Sequence, residues 1–243
     1  MLVDLLDVQE GERVFDIGTG GGSVLYPLAR KVGASGRVIG SELCDHFAKA
    51  TATEIKRCKI KNAEVHFMDA RITEFDDDSF DCITAGFIGW DDYFDFEKLE
   101  YKKPDNLMSA VRRLVKPGGK FGVSTWLLQE DLDWMYEFLK SHSIDSRRNY
   151  SIENQEGWKV ILLRSGFHNI RFFNRPVTYS YHSIDHWWDE MMDYNWLRSG
   201  DDSEIISDSI KKEAFSSVED RLTNDGKVPF RRDALLVTAV LEA

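Results

Sequence analysis

The sequence predicts an α/β fold in which helices cover both faces of a doubly wound, mostly parallel sheet. Two observations support this prediction. Short apolar runs alternate with segments of helical spacing up to about residue 125, which is typical of a parallel sheet. The apolar run 14–17 also leads directly into residues 18–22, where four of five positions are glycine. A strand that ends in such a turn and is followed by a helix is typical of ligand-binding α/β sheets.

The predicted elements follow this alternation in chain order. Strands are expected at 13–17, 37–42, 63–68, 80–85 and 120–125, with helices at 24–32, 44–59 and 105–115, and a turn at 116–119 before the fifth strand. After residue 125 the sequence predicts helices at 127–141, 152–165 and 203–222, and strands at 168–176 and 234–241. We expect one domain over 1–243 with helical, aromatic-rich cap segments inserted at about 126–150 and 178–229.

Composition limits the class of partner. The formal net charge is −11 and the basic residues are dispersed, which disfavours nucleic acid and favours a small molecule. The three cysteines, Cys44, Cys58 and Cys82, have no paired spacing, so we expect reduced thiols in a cytoplasmic protein. We expect no metal site, because the sequence has no C-x-x-C pair, and no membrane span, because no apolar run is long enough.

The glycine-rich residues 18–22, which we call the glycine turn, predict a ligand with an anionic group, since a helix N-terminus favours one. The dinucleotide pattern G-x-G-x-x-G fits poorly, because its third glycine is replaced by Ser23 or Leu25, and no G-K-[ST] follows. Asp16 precedes the turn. Its carboxylate would repel a pyrophosphate but hold an ammonium group. An amino acid carries both an ammonium and a carboxylate, and S-adenosylmethionine joins an amino acid to a nucleoside.

Six segments in the same order and spacing resemble the class I S-adenosylmethionine-dependent methyltransferases, of the ubiquinone/menaquinone-biosynthesis type. These segments are residues 14–22, 38–42, 68–70, 79–87, 114–119 and 163–167, and together they extend over about 10–175. The resemblance implies a Rossmann-like sheet of seven strands with an antiparallel last strand. It also implies that S-adenosyl-L-methionine is the cofactor.

The resemblance assigns roles to residues at the strand ends. Asp16 would hold the ammonium, Glu42 two ribose hydroxyls, and Asp69 the adenine amino group, while the Ala70 N–H donates to the adenine ring. Residues expected to bind the cofactor are Asp16, Gly18, Thr19, Gly20, Gly22, Glu42, Leu43, Asp69, Ala70, Gly86 and Phe87.

Aromatic residues after the fourth and fifth strands and in the insertion are candidates for an acceptor pocket. They are Trp90, Tyr93, Trp126 and Trp187, whose rings suit a flat, apolar or cationic acceptor. No general base is assigned, since His142, His168, His182 and His186 are candidates by residue type alone. The family's N-terminal helix would cover the cofactor. Only 15 residues precede Asp16 here, so we expect either a longer protein or a lid formed by 178–229.

The sequence therefore predicts an enzyme that transfers a methyl group from S-adenosylmethionine to a small-molecule acceptor. Two alternatives stay open. The first is a module that binds the cofactor without catalysis, because Asp16, Glu42 and Asp69 predict binding rather than turnover. The second is a nicotinamide-dependent oxidoreductase, which Asp16 and the poor third-glycine position disfavour.

Overall fold

The protein is described by a computed structural model that covers residues 2–146, 153–194, 196 and 206–242. The chain divides into two compact units. The first comprises 1–125, 153–174 and 235–243, and the second comprises 126–152 and 175–234. Whether the whole chain acts as one domain with cap segments stays a prediction.

The first unit contains the alternating part of the fold. Its four initial strands are β1 (Arg13–Ile17), β2 (Arg37–Glu42), β3 (Ala63–Phe67) and β4 (Phe80–Gly86). Its helices are α1 (Leu2–Leu5), α2 (Leu25–Val32), α3 (Asp45–Arg57) and α4 (Asn106–Leu114). A small antiparallel pair, β5 (Phe94–Asp95) and β6 (Glu100–Tyr101), precedes α4. Because β1 pairs in parallel with both β2 and β4, the carboxyl ends of these strands lie at one edge of the sheet.

The sheet is completed by β7 (Val115–Gln129), β8 (Phe167–Tyr181) and β9 (Val228–Leu241). Its strand order is β3-β2-β1-β4-β7-β9-β8. The sheet is mostly parallel with β9 antiparallel, which confirms the predicted fold class. Helix α5 (Glu130–Ser141) follows β7, α6 (Gln155–Arg164) precedes β8, and α7 (Ile184–Met192) and α8 (Asp208–Val218) lie between β8 and β9.

Burial explains how the first unit folds. Helix α2 has apolar residues at helical spacing, and its buried residues Leu25, Leu28 and Val32 form one cluster with Val14 and Val38 of the sheet. The C-terminal end of α2 is held by the side-chain amide of Asn62, which donates to the carbonyls of Ala29 and Gly33, both at 2.7 Å. These bonds satisfy carbonyls that the end of a helix leaves unpaired.

Three strands are longer than predicted. The expected turn at 116–119 lies within β7, because β4 pairs with β7 at Phe80–Val115 and again at Cys82–Lys120, which leaves those four residues as a bulge. The expected helix at 127–141 begins only at Glu130, since β7 continues to Gln129. Strand β8 continues past 176 and β9 begins before 234, so both include residues expected in the cap segment.

Two further helices are shorter than predicted. The helix expected at 203–222 is observed as α8, followed by a 3-10 turn at Glu219–Arg221. Residues 203–205 lie outside the described part of the chain, as does Ile152, the expected start of the preceding helix. That helix is observed as α6, from Gln155 to Arg164.

The second unit has an aromatic core that contains a buried ion pair. Trp187, Trp196 and Phe230 are fully or almost fully buried in this core. Asp131 is also fully buried, and Arg232 Nη2 donates to its Oδ2 at 2.5 Å. The Tyr181 hydroxyl donates to the same carboxylate. The charge of Arg232 is thereby compensated beside the aromatic core.

Replacing Asp131 by Ala is expected to lower the free energy of unfolding by about 3–5 kcal/mol, because the Arg232 charge is left buried and unpaired. Urea denaturation measures this loss. Lys140→Ala on the same helix is the control, because its ion pair with Glu137 is long, at 3.8 Å, and exposed, so the midpoint should hardly move. Equal midpoints for the two variants would contradict the structural role of the buried pair.

Candidate functional site

The glycine turn connects β1 to α2 and requires glycine. Gly18, Gly20 and Gly22 have φ values of 65°, 51° and 83°, in the left-handed region. A Cβ built on Gly18 would lie 2.3 Å from Cγ2 of Ile88, so no side chain fits there. The Gly22 N–H donates to the Thr19 carbonyl at 2.9 Å, and the Thr19 N–H donates to the Ser41 carbonyl at 3.0 Å. These bonds fix the turn against the end of β2.

Asp16 is almost completely buried, with 1% of its surface exposed, beside the glycine turn. The hydroxyls of Thr84 and Thr19 donate to its two oxygens at 2.6 and 2.8 Å. Burial nevertheless raises the pKa of Asp16 to about 6, because these two bonds compensate only part of the lost hydration. Asp16 therefore holds a charge near neutral pH at a cost, and a cationic ligand group would relieve that cost.

Glu42 ends β2 with both carboxylate oxygens held by the backbone. The Gly20 N–H donates to Oε2 and the Cys44 N–H donates to Oε1, each at 2.8 Å. Glu42 is half-buried. A carboxylate has about four acceptor positions, so the fixed side chain can accept further hydrogen bonds from a pair of hydroxyls.

Asp69 follows β3 and is bound by Arg71. The Arg71 backbone N–H donates to Oδ1 at 2.9 Å, and its Nε donates to the same oxygen at 2.8 Å. Nη2 of Arg71 donates to Oδ2 at 2.5 Å. Hydrogen bonds from the Arg71 side chain lower the pKa of Asp69, so Asp69 is a fixed acceptor at neutral pH.

Gly18, Glu42 and Asp69 line a cavity of about 670 Å³ at the carboxyl ends of the strands, which we call the strand-end cavity. The volume suits a small-molecule ligand. Its lining includes Ile17, Gly18, Ser41, Glu42, Leu43, Met68, Asp69, Ala70, Arg71, Ile88, Gly89, Asp91, Asp92, Tyr93 and Leu107. Six residues predicted for the site are among them: Gly18, Glu42, Leu43, Asp69, Ala70 and Tyr93.

The other predicted cofactor residues are not part of this lining. Asp16, Thr19 and Gly20 belong to the hydrogen-bonded turn beside it. Gly22 lines a larger groove of about 980 Å³ between α2 and α3, which includes none of Asp16, Glu42 and Asp69. Gly86 is the last residue of β4. Phe87 follows with φ of 54°, and its N–H donates to the Ser124 carbonyl at 2.8 Å.

Three of the four aromatic residues proposed for the acceptor pocket lie elsewhere. Trp90 is fully buried, and its indole N–H donates to Asp105 Oδ2 at 2.7 Å. It therefore packs in the core instead of lining the cavity. Trp126 and Trp187 belong to the second unit, where Trp187 is fully buried among aromatic side chains. Tyr93 alone of the four lines the strand-end cavity.

Glu153 explains the position of Trp90. The Trp90 backbone N–H donates to one oxygen of this buried carboxylate, and the Trp158 indole N–H donates to the other at 2.7 Å. Residues 88–93, which flank Trp90, supply one wall of the cavity. Glu153 thus anchors that wall from 63 residues away in sequence. The sequence offered no signal for this pairing.

None of the candidate histidines lines the cavity in the described part of the chain. His142 Nδ1 is hydrogen-bonded to the Phe138 carbonyl at 2.9 Å. His186 Nε2 lies 3.0 Å from Glu190. Within residues 2–146, 153–194, 196 and 206–242, no three potential metal ligands lie together. No helix in this described part of the chain has the length and apolarity needed to cross a bilayer.

The comparisons with known proteins find similarity to methyltransferases. A family model described as "Methyltransferase domain" matches residues 14–119, which include the glycine turn, Glu42 and Asp69. The chain is similar to the class I S-adenosylmethionine-dependent methyltransferases, which confirms the predicted resemblance, and the comparisons support S-adenosylmethionine as the cofactor. The comparisons do not support the oxidoreductase or non-catalytic alternatives.

Two curated relatives and one solved structure illustrate the similarity. The chain is 28% identical over 193 residues to the ubiquinone/menaquinone biosynthesis C-methyltransferase UbiE of Teredinibacter turnerae, covering 71% of this chain and 73% of that relative. It is 31% identical over 125 residues to nocamycin O-methyltransferase of Saccharothrix syringae, covering 51% of this chain but only 41% of that relative. A putative methyltransferase structure from Bacillus halodurans shares the fold, with a TM-score of 0.62, 19% identity and coverage of 100% and 97% of the two chains.

Proposed function

We propose that this protein transfers a methyl group from S-adenosylmethionine to a small-molecule acceptor by in-line displacement. One observation carries the proposal. Two of the predicted carboxylates, Glu42 and Asp69, line one cavity at adjacent strand ends, and the glycine turn with Asp16 adjoins it. Ligands of open α/β sheets bind at this edge.

The residues present suit the proposed cofactor. Glu42, fixed by two backbone N–H groups, would accept hydrogen bonds from the ribose hydroxyls. Asp69, held as an anion by Arg71, would accept one from the adenine amino group. The buried carboxylate of Asp16 would compensate the ammonium charge. Backbone N–H groups at the start of α2 would donate to the carboxylate.

When bound, the cofactor supplies an activated methyl group on a sulfonium, which an acceptor takes by direct displacement. The protein contributes chiefly by orienting the partners and excluding water. Gly18 permits close approach, since it presents no side chain towards Ile88. Trp90, held through Glu153 and Asp105, keeps the wall formed by residues 88–93 in place. No general base is assigned among the described residues.

The two curated relatives described above support a small-molecule acceptor. The names of the two curated relatives give nocamycin and ubiquinone/menaquinone biosynthesis as the settings of O- and C-methylation. The net charge of −11 disfavours a nucleic-acid acceptor, because binding to phosphates requires basic surface. We therefore expect an organic acceptor of low molecular mass.

An acceptor screen tests the proposal. The protein is incubated with S-adenosylmethionine and separate pools of small phenols, quinols, amines and carboxylic acids, together with RNA, DNA and a protein extract. Formation of S-adenosylhomocysteine is measured in each pool. At least one small-molecule pool should give turnover. Turnover only with a nucleic acid or protein would contradict the proposed acceptor class.

Cofactor affinity is expected to fall as the pH is lowered through about 6, because Asp16 takes up a proton there and loses the charge that holds the ammonium. The dissociation constant of S-adenosylhomocysteine should rise roughly tenfold per pH unit below that point. Calorimetric titrations at a series of pH values from about 8 to 4.5 measure this dissociation constant. A constant affinity down to about pH 4.5 would exclude Asp16 as the group that binds the ammonium.

A further inference from the structure

Arg71 lies at the border of two cavities. It lines the strand-end cavity together with Asp69. The same two residues also line a second cavity of about 450 Å³, whose other walls include Asn106 and Ser109 of α4. The Arg71–Asp69 ion pair therefore separates the two spaces.

The ion pair holds the Arg71 side chain in this position. Its guanidinium binds Asp69 in a bidentate manner, with Nε and Nη2 both donating to the carboxylate. Nη1 donates to the Tyr93 hydroxyl at 3.4 Å, a long bond to the other side of the strand-end cavity. Arg71 thus connects the segment after β3 to the segment after β4. A planar guanidinium held on both sides is a more rigid wall than a flexible cation.

We propose that Arg71 sets the size limit of the strand-end cavity at Asp69, and so determines which adenine derivatives the protein accepts. The inference rests on the proposed function, which places the adenine amino group at Asp69. With Arg71 present, a substituent on that nitrogen meets the guanidinium. Without it, the substituent can extend into the second cavity along Asn106 and Ser109.

Arg71 acts here as a specificity-determining residue rather than a structural one. Its side chain is 43% exposed, and its bonds to Asp69 are local, between residues two apart. Its loss should therefore leave the fold intact. The loss should weaken binding of the unmodified cofactor only moderately, because Asp69 keeps its place but loses its fixed orientation.

The test uses two probes: S-adenosylhomocysteine, and the same compound with a benzyl group on its adenine amino nitrogen. Calorimetric titration of the wild type should give binding of the first probe and rejection of the second by roughly a hundredfold. Arg71→Ala should lower the affinity for the first probe by about tenfold and should bind the second probe at least as tightly as the first. The selectivity should thus be lost through a gain of binding, which misfolding does not produce.

Two further variants separate size from other effects. Arg57→Ala removes a similar local pair, in which Nε and Nη2 of Arg57 donate to Glu54 at 2.7 and 2.6 Å, away from both cavities, and should retain wild-type selectivity. Arg71→Met fills the space without a charge and should still reject the benzyl probe. Rejection of the benzyl probe by Arg71→Ala, or binding of that probe by Arg71→Met, would overturn the proposed size limit. Failure of the wild type to bind S-adenosylhomocysteine would instead overturn the proposed function.

Discussion

Replacing Asp16 by Asn is expected to abolish cofactor binding and, at the same time, to stabilise the folded protein near pH 8. The amide is nearly isosteric with the carboxylate and keeps partners in the Thr84 and Thr19 hydroxyls. It lacks the charge that would hold the ammonium. Loss of a buried charge partner should raise the dissociation constant of S-adenosylhomocysteine by at least about a hundredfold.

The gain in stability follows from the raised pKa. In the folded state the pKa of Asp16 is about 6, against 3.8 for the ordinary group. The folded protein therefore binds this proton more tightly than the unfolded chain does. The resulting stability is fully present below about pH 4 and is lost as the pH rises through about 6. Near pH 8 the free energy of unfolding of the wild type is therefore lower by up to about 3 kcal/mol, a loss that the neutral amide avoids.

Urea denaturation and calorimetry on the same samples measure both effects, with Asp81→Asn as the matched control. Burial opposes ionisation of Asp81, but Lys116 and the Arg13 N–H outweigh it and lower its pKa. The control should therefore lose stability near neutral pH and keep its affinity for the cofactor. Unchanged affinity in Asp16→Asn would remove Asp16 from the site. If Asp16→Asn were less stable than the wild type near pH 8, the buried charge of Asp16 would not destabilise the wild type as we expect.

Replacing Gly18 by Ala is expected to destabilise the protein and to prevent cofactor binding. The positive φ of 65° alone costs a non-glycine residue about 1–2 kcal/mol. In addition, the new Cβ would lie 2.3 Å from Cγ2 of Ile88, so Ile88 must move. Because Ile88 lines the strand-end cavity, its movement distorts the ligand site. Thermal denaturation and titration with S-adenosylhomocysteine measure the two losses.

Gly118→Ala separates backbone strain from the clash. Gly118 has φ of 74°, but a Cβ built there meets no atom within 4 Å, so this variant should lose stability without losing affinity. The double variant Gly18→Ala with Ile88→Ala removes the clashing methyl groups and should recover part of the affinity. Equal affinity of Gly18→Ala and the wild type would show that the cofactor does not approach the glycine turn.

The alternating part of the fold was predictable from the sequence. Strands β1 to β4 lie within about a residue of their predicted bounds. For β1, β2 and β4 the reason is burial, because buried parallel strands are mostly apolar runs between clear turns. Strand β9 was predicted too short. Val228, Phe230 and Arg232 are buried while Arg231 is exposed, but a buried arginine conceals the apolar alternation. Its buried partner, Asp131, lies 101 residues earlier in the chain.

The candidate site was predictable only where local pattern determines it. Glu42 and Asp69, which end two strand segments, were proposed from the family resemblance of those segments, and both line the strand-end cavity. Thr84, which donates to Asp16 from 68 residues away, and Glu153 were missed, because such pairings arise only when the chain folds. Arg71 directly follows residues 68–70, one of the segments that carry the family resemblance, but its place between two cavities depends on α4.

Calorimetric titration of the wild-type protein with S-adenosylhomocysteine and, separately, with NAD tests the central claim most directly. The strand-end cavity, with Glu42 and Asp69 in its walls and Asp16 beside it, should bind one molecule of S-adenosylhomocysteine near pH 8 and show no heat of binding with NAD. Binding of NAD, or no binding of S-adenosylhomocysteine, would contradict the account.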